Sequence, residues 1–180
     1  DAITPVDERS YLGSVDEYPG AVSCGVLQDD GQFRGAVYFD RGVTWFTLDT
    51  NVVETRALNY GDFTAYQVPS SPTVGPGQAG NTTYLFDIGI DADYNYFITS
   101  NSSVAKSLES IEYSICLTRA IYLRDALLKP QLGRVIIRTD LANNPYEGLT
   151  QGDYLSRVRS EWNENQSDTD PDAVAGVSTS

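Results

Sequence analysis

Histidine is absent from this 180-residue chain, and methionine is absent as well. Without imidazole there is no Ser-His-Asp triad, no Cys-His pair and no histidine-bound zinc or iron. The two cysteines are too few for a four-thiolate zinc or iron–sulfur site. Among 25 acidic residues a close carboxylate pair arises by chance, so no hydrolase pair can be named. The inventory therefore predicts a protein that is not an enzyme and that needs no cofactor.

Long apolar runs and basic residues are also scarce. No stretch approaches the roughly 20 apolar residues that a transmembrane helix needs, so we expect no membrane span. Twelve Lys and Arg side chains stand against 25 Asp and Glu, and the resulting net charge of -13 repels a nucleic-acid backbone. Direct binding to nucleic acid is therefore not expected.

The acidic composition has a particular form. Asp outnumbers Glu by 17 to 8, and Arg outnumbers Lys by 10 to 2. Short carboxylates and few lysine stems suit a surface in multimolar salt, where repulsion among carboxylates is screened. The composition predicts a halophilic protein, and an acidic secreted protein is the alternative. The absence of Met predicts a processed N terminus, and cleavage of an export leader would permit a disulfide.

Strand signals dominate the first part of the chain. Short β-branched and aromatic runs alternate with Gly, Asp and Asn turns at the spacing of a sandwich or barrel. We therefore expect a β-rich α+β fold, a sandwich or a single jelly-roll-like barrel of about seven or eight strands. The runs that predict strands are 21–27, 33–39, 43–49, 52–58, 63–68, 83–90, 94–99 and 135–138.

Helical signals appear late in the chain. Apolar residues at helical spacing predict one long helix over about 103–128, which Pro130 ends. A second helix is predicted near the C terminus, over about 154–162. These elements divide the chain into an extended arm at 1–20, a single globular domain at 21–163 and an acidic tail at 164–180.

One acidic segment has the opening spacing of a calcium loop. Asp91, Asp93 and Asn95 alternate as the first ligands of an EF-hand do. The pattern then requires Gly where Tyr96 stands and Glu where Ser102 stands. These three residues are therefore weak metal candidates, and solvated acids in a turn are the favoured interpretation.

The two cysteines lie in different predicted elements. Cys24 falls in the first strand of the predicted domain and Cys116 in the middle of the long helix. A disulfide between them would tie helix to sheet, and closing so long a loop contributes up to about 4–5 kcal/mol. Two buried free thiols are the alternative, because unpaired Cys is among the most buried residue types. Predicted export favours the bridge.

Aromatic and arginine side chains supply candidates for contacts between chains. The arginines give the C-terminal part its basic share, and they can receive the acidic N-terminal face of another copy. Pairing within one chain, at the surface, is the alternative. The interface candidates are Trp45, Arg134, Arg138, Arg157, Arg159 and Trp162.

These features together predict a structural, self-assembling subunit. The favoured form is a virion coat or capsid protein, or a surface protein, adapted to high salt and located in the virion or at the cell surface. Its expected partners are copies of itself and other coat or surface proteins. The alternative is a secreted binding module that recognises a glycan or a cell surface through the Pro- and Gly-rich loop at 69–80 and nearby aromatic rings.

Overall fold

A computed structural model describes residues 2–3, 9–14, 21–38, 45–49 and 82–179. The strands are β1 Ala2–Ile3, β2 Ser10–Ser14, β3 Val22–Leu27, β4 Phe33–Tyr38, β5 Trp45–Asp49, β6 Tyr84–Ala92, β7 Leu128–Ile137 and β8 Ala173–Val177. The helices are α1 Tyr94–Thr99, α2 Val104–Ala126 and α3 Gln151–Asn165, with a 3-10 turn at Leu141–Asn143.

The chain divides into two compact units, each with its own sheet. The parallel-sheet unit contains strands in the order β1-β7-β6-β8, of which only the short β1 is antiparallel to its neighbour, and the antiparallel-sheet unit contains β2-β3-β4-β5. The first unit comprises Asp1–Glu8, Leu85–Ser110 and Pro130–Ser180, and the second comprises Arg9–Tyr84 and Ile111–Lys129.

Three neighbouring strands of the first unit run in the same direction. Strand β8 is parallel to β6, with Ala173 opposite Ile88 and Val177 opposite Ala92. Strands β6 and β7 are parallel too, because backbone hydrogen bonds join Tyr84 to Leu127 at their starts and Ala92 to Arg138 at their ends. The chain therefore makes two successive β-α-β crossovers, first through α2 and then through α3. The second crossover carries the chain from β7, on one side of β6, to β8, on the other side.

The antiparallel-sheet unit packs its sheet against the second part of α2. Strand β3 lies between β2 and β4, so that Cys24 stands opposite Leu12 on one side and Ala36 on the other. Apolar side chains from the sheet and the helix form one buried cluster. Its members are Cys24, Val26, Ala36, Tyr113, Cys116 and Ala120.

The prediction of a sandwich or jelly-roll-like barrel was wrong. The strands form two small sheets in a mixed α+β fold, and within the described residues neither sheet closes into a barrel. Helices can cover both faces of parallel strands, so such strands read as short apolar runs, much like the core strands of a sandwich. The spacing of turns could not separate the two architectures.

Individual elements show where local signals succeeded. The long helix predicted over 103–128 is α2, and the second predicted helix lies within α3. The strand predicted at 94–99 is helix α1, because the Asp93 side chain accepts a hydrogen bond from the Tyr96 N–H at 2.7 Å and caps a helix there. Helix α2 ends when Leu127 adopts a φ of 54°, and β7 begins at the next residue, earlier than predicted.

Several predictions fall on residues that the structure does not describe. They are the strands at 52–58 and 63–68 and the loop at 69–80. In the acidic tail, by contrast, strand β8 pairs with β6, and Asp172 accepts a hydrogen bond from the Asp87 N–H at 2.9 Å. The described tail is thus held by its own chain. Among the described residues no helix is both long enough and apolar enough to cross a membrane.

Candidate functional site

The carboxyl ends of β6, β7 and β8 lie side by side at one end of the parallel sheet. The chain leaves β6 for β7 on one side and later crosses to β8 on the other side. In open α/β sheets the place where the strand order reverses in this way is where ligands usually bind. The residues at this end of the sheet therefore form the candidate site.

Asp91, the penultimate residue of β6, is completely buried and fully hydrogen-bonded. Arg138 donates to both of its carboxylate oxygens, from Nε at 2.9 Å and from a terminal nitrogen at 2.7 Å. Tyr146 donates its hydroxyl at 2.6 Å, and Trp162 donates its indole N–H at 3.1 Å. A buried charge is tolerated when it is paired and hydrogen-bonded in this way. Asp91 is therefore the centre of a closed polar network.

The network extends to a second carboxylate on α3. The terminal nitrogen of Arg138 that donates to Asp91 also donates to Glu161 at 3.1 Å, and Glu161 is buried. Burial alone lowers the pKa of Arg138, but the hydrogen bond and charge of Asp91 outweigh it and raise that pKa. Burial and Asp91 together raise the pKa of Tyr146, so its hydroxyl keeps the proton that it donates. Every charged group in the network thus has an opposite charge beside it.

The weak calcium candidates have separate roles in the structure. Both oxygens of Asp91 accept from Arg138, a cation. Asp93 caps α1 and also accepts a hydrogen bond from the Ser178 hydroxyl at 2.5 Å, while Asn95 is exposed on α1. Within the described part of the chain, no three His, Cys, Asp or Glu side chains are grouped so that they could hold a metal ion. The calcium site remains only a prediction from spacing.

A small hollow of about 290 Å³ lies after the end of β7. Asp140 takes part in its lining and accepts hydrogen bonds from the Ala142 N–H at 3.0 Å and from the Asn143 amide at 2.7 Å. Arg138, a second lining residue, is held by Asp91 and Glu161. The charged side chains of Arg138 and Asp140 that line the hollow thus already have partners within the protein, and we assign this hollow no ligand.

The predicted interface residues occupy three different environments. Trp162 and most of Arg138 are buried within the parallel-sheet unit, where both donate to Asp91. Arg134 makes a two-pronged ion pair with Asp168, with both N–O distances at 2.8 Å. Arg157 and Arg159 are exposed, and Arg157 forms an ion pair with Glu161 at 3.7 Å. Only the backbone of Trp45 is described.

The Arg134–Asp168 pair gives a prediction about pH. The hydrogen bond from Arg134 holds the pKa of Asp168 below its ordinary value of 3.8. Because the folded-state pKa is the lower one, the pair contributes fully above the unfolded-state pKa and is lost as pH falls through the folded-state pKa. We expect carboxyl NMR to find a titration midpoint below 3.8 that rises in Arg134→Gln. Equal midpoints in the two proteins would contradict the pair.

A feature that the sequence analysis missed is the outer edge of β8. This strand is the last in the sheet order, so only β6 pairs with it among the described residues. Its sequence is Ala-Val-Ala-Gly-Val, and residues 173–175 are exposed. The sequence signal for this strand was a run of five small apolar residues, but the acidic composition of the surrounding tail obscured it.

Comparisons with models of protein families, with curated proteins and with solved structures found no match. Function must therefore be inferred from the two features above. The Asp91 network is closed, because its hydrogen bonds and charges are satisfied inside the unit. The outer edge of β8 has no neighbouring strand among the described residues, and an unpaired strand edge is a template for another strand.

Proposed function

We propose that this chain is a self-assembling structural subunit that joins another polypeptide through the outer edge of β8. The observation that supports this is an apolar strand at the end of a parallel sheet, with exposed residues at 173–175. Proteins normally cover such edges or protect them with charge, lysine or proline. Here the five residues of the strand carry neither a charge nor a proline.

The register identifies the backbone groups of β8 that point away from β6. In a parallel ladder, alternate residues direct both N–H and C=O toward the same neighbour. The Asp93 N–H donates to the Val177 carbonyl at 3.0 Å, so Ala173, Ala175 and Val177 face β6. The N–H and C=O groups of Val174 and Gly176 therefore face outward. A partner strand would satisfy these outward groups.

A second copy of β8 fits this edge in the antiparallel orientation. If the pair is centred on Ala175, Ala173 lies opposite Val177 of the other copy and Asp172 lies opposite Ser178. No two carboxylates then stand directly opposite, whereas a parallel pair in register would align Asp172 with itself. An isologous contact of this kind is the usual way in which identical chains associate.

The salt dependence of this contact follows from the net charge of the chain. Each copy carries a net charge of -13, so two approaching copies repel one another. Salt screens this repulsion, since the Debye length falls from about 10 Å at 0.1 M to about 3 Å at 1 M. Association should therefore strengthen with salt. This salt dependence agrees with the more specific form of the proposal, in which the chain is a virion coat or surface subunit that works in high salt.

Light scattering of a proline variant tests the proposal. Val174→Pro removes one outward N–H and leaves the inward ladder to β6 intact, so we expect it to reduce the assembled mass in multimolar salt to that of a monomer. The matched control is Val174→Thr, which keeps the N–H and should assemble like the parent protein. In dilute salt all three proteins should be monomeric.

Two results would overturn the proposal. One is a parent protein that stays monomeric at every salt concentration. The other is a Val174→Pro variant that is folded and assembles as well as the Thr control. The glycan-binding alternative depends on the loop at 69–80, which lies outside the described residues, so no structural observation favours it.

A further inference from the structure

The two cysteines of the chain meet in the core of the antiparallel-sheet unit. Cys24 lies on the central part of β3 and is 3% exposed, and Cys116 lies on α2 and is 0% exposed. Both belong to the same buried cluster, together with Val26, Ala36 and Ala120. The fold thus brings together residues that are far apart in the sequence and on different elements.

The structure shows the two cysteines as free thiols that share one buried cluster. The sulfur of Cys116 also lies 3.6 Å from the carbonyl oxygen of Gly25, the residue that follows Cys24. Among the described residues, no third His, Cys, Asp or Glu side chain joins the two thiols in a group that could hold a metal ion. These surroundings suit a bond between the sulfurs better than a metal ion, which needs more ligands.

We infer that Cys24 and Cys116 form a structural disulfide that fastens α2 to the antiparallel sheet, and that the bond forms during folding, before the core closes. The oxidant is a small disulfide such as oxidised glutathione. One cysteine thiolate attacks it and releases one glutathione thiolate, and the second cysteine then displaces the other glutathione from the mixed disulfide. The two cysteines lose two electrons and two protons, and the oxidant leaves as two thiols.

Burial sets the order of these events. Only a thiolate attacks a disulfide, and the attacking sulfur must be reachable. In the folded chain Cys24 is 3% exposed and Cys116 is 0% exposed, so an oxidant in solution can reach neither sulfur. The folded dithiol should therefore react slowly with oxidant. The same burial should protect the finished bond from reductants.

Mass spectrometry of refolded protein tests the inference. The reduced, unfolded chain is refolded in a buffer of oxidised and reduced glutathione, then denatured and treated with iodoacetamide. We expect neither cysteine to be alkylated and the intact mass to lie about 2 Da below that of the reduced chain, which corresponds to two hydrogens. In the control variant Cys24→Ser, Cys116 should be alkylated or carry glutathione. Two alkylated cysteines in correctly refolded parent protein would overturn the inference.

A second measurement uses the native protein and needs no variant. A reductant should leave the bond intact in the folded protein and break it once denaturant is added. The reduced protein should then melt on the order of 10 °C below the oxidised one, because cross-linking restricts the unfolded chain. Equal melting temperatures would show that the bond does not stabilise the fold. Rapid reduction in the native state would contradict the buried location of the pair.

Discussion

Replacing Asp91 with alanine should lower the free energy of unfolding by about 3–5 kcal/mol, the usual cost of removing one partner from a buried ion pair. The variant keeps the Arg138 guanidinium mostly buried but takes away the carboxylate that receives two of its hydrogen bonds. Among the described residues, Glu161 is then the only carboxylate that still forms an ion pair with Arg138. The hydroxyl of Tyr146 and the indole N–H of Trp162 also lose their acceptor.

Urea unfolding followed by circular dichroism measures this change. The matched control is Asp170→Ala, which removes the same charge from an exposed position and should alter stability by less than about 0.5 kcal/mol. The effect of Asp91→Ala should exceed that of the control by several kcal/mol if the buried network holds the parallel-sheet unit together. Equal midpoints for the two variants would mean that Asp91 is not the centre of that network.

Replacing Gly89 with alanine should destabilise the same unit by about 1–3 kcal/mol, as overpacking a well-filled core does. A methyl group at this position of β6 would lie 2.3 Å from Cη2 and 2.4 Å from Cζ3 of the Trp162 ring. The ring is 5% exposed, and its N–H is held by Asp91. It therefore has little freedom to move aside. Strand β6 or helix α3 must shift instead.

A second glycine-to-alanine change serves as the control. Gly152 lies in the first turn of α3, and nothing would meet a methyl group there within 4 Å. Gly152→Ala should leave stability unchanged or raise it by up to about 1 kcal/mol, because alanine is the better helix former. Thermal melts should therefore show a lower melting temperature for Gly89→Ala and no decrease for Gly152→Ala. A Gly89→Ala protein as stable as the Gly152→Ala protein would contradict the packing of Trp162.

The helices were the predictable part of this fold. Apolar residues at helical spacing revealed α2 and α3 because each helix buries one face, and this pattern is local. The mistaken strand at 94–99 shows the limit of such patterns. Its aromatic residues favour a strand, but a single carboxylate, that of Asp93, caps a helix at that point.

The role of Asp91 was out of reach for sequence analysis. Its spacing with Asp93 and Asn95 resembled a calcium loop, whereas its true partner, Arg138, lies 47 residues away, directly after strand β7. The parallel pairing of β6 with β7 brings the two together, and no local signal encodes that pairing. Whether the two cysteines form a disulfide was left between two alternatives for the same reason. The structure holds both as buried free thiols in one cluster, and the disulfide stays a prediction.

Strand β8 was hidden by its surroundings. The segment from 164 to 172 is rich in acidic and polar residues, and composition alone predicts disorder there. The five small residues that follow form a strand only because β6 offers an edge for them. A short apolar segment of this kind is informative only once its neighbour in the sheet is known.

Hydrogen–deuterium exchange on β8 tests the central claim most directly. Val174 and Gly176 direct their N–H groups outward, whereas Ala175 and Val177 direct theirs toward β6. In multimolar salt, where we expect assembly, all four amides should be protected; in dilute salt protection should be lost at 174 and 176 and kept at 175 and 177. Fast exchange at Val174 and Gly176 in an assembled sample would show that the subunits join elsewhere and would refute the proposed contact.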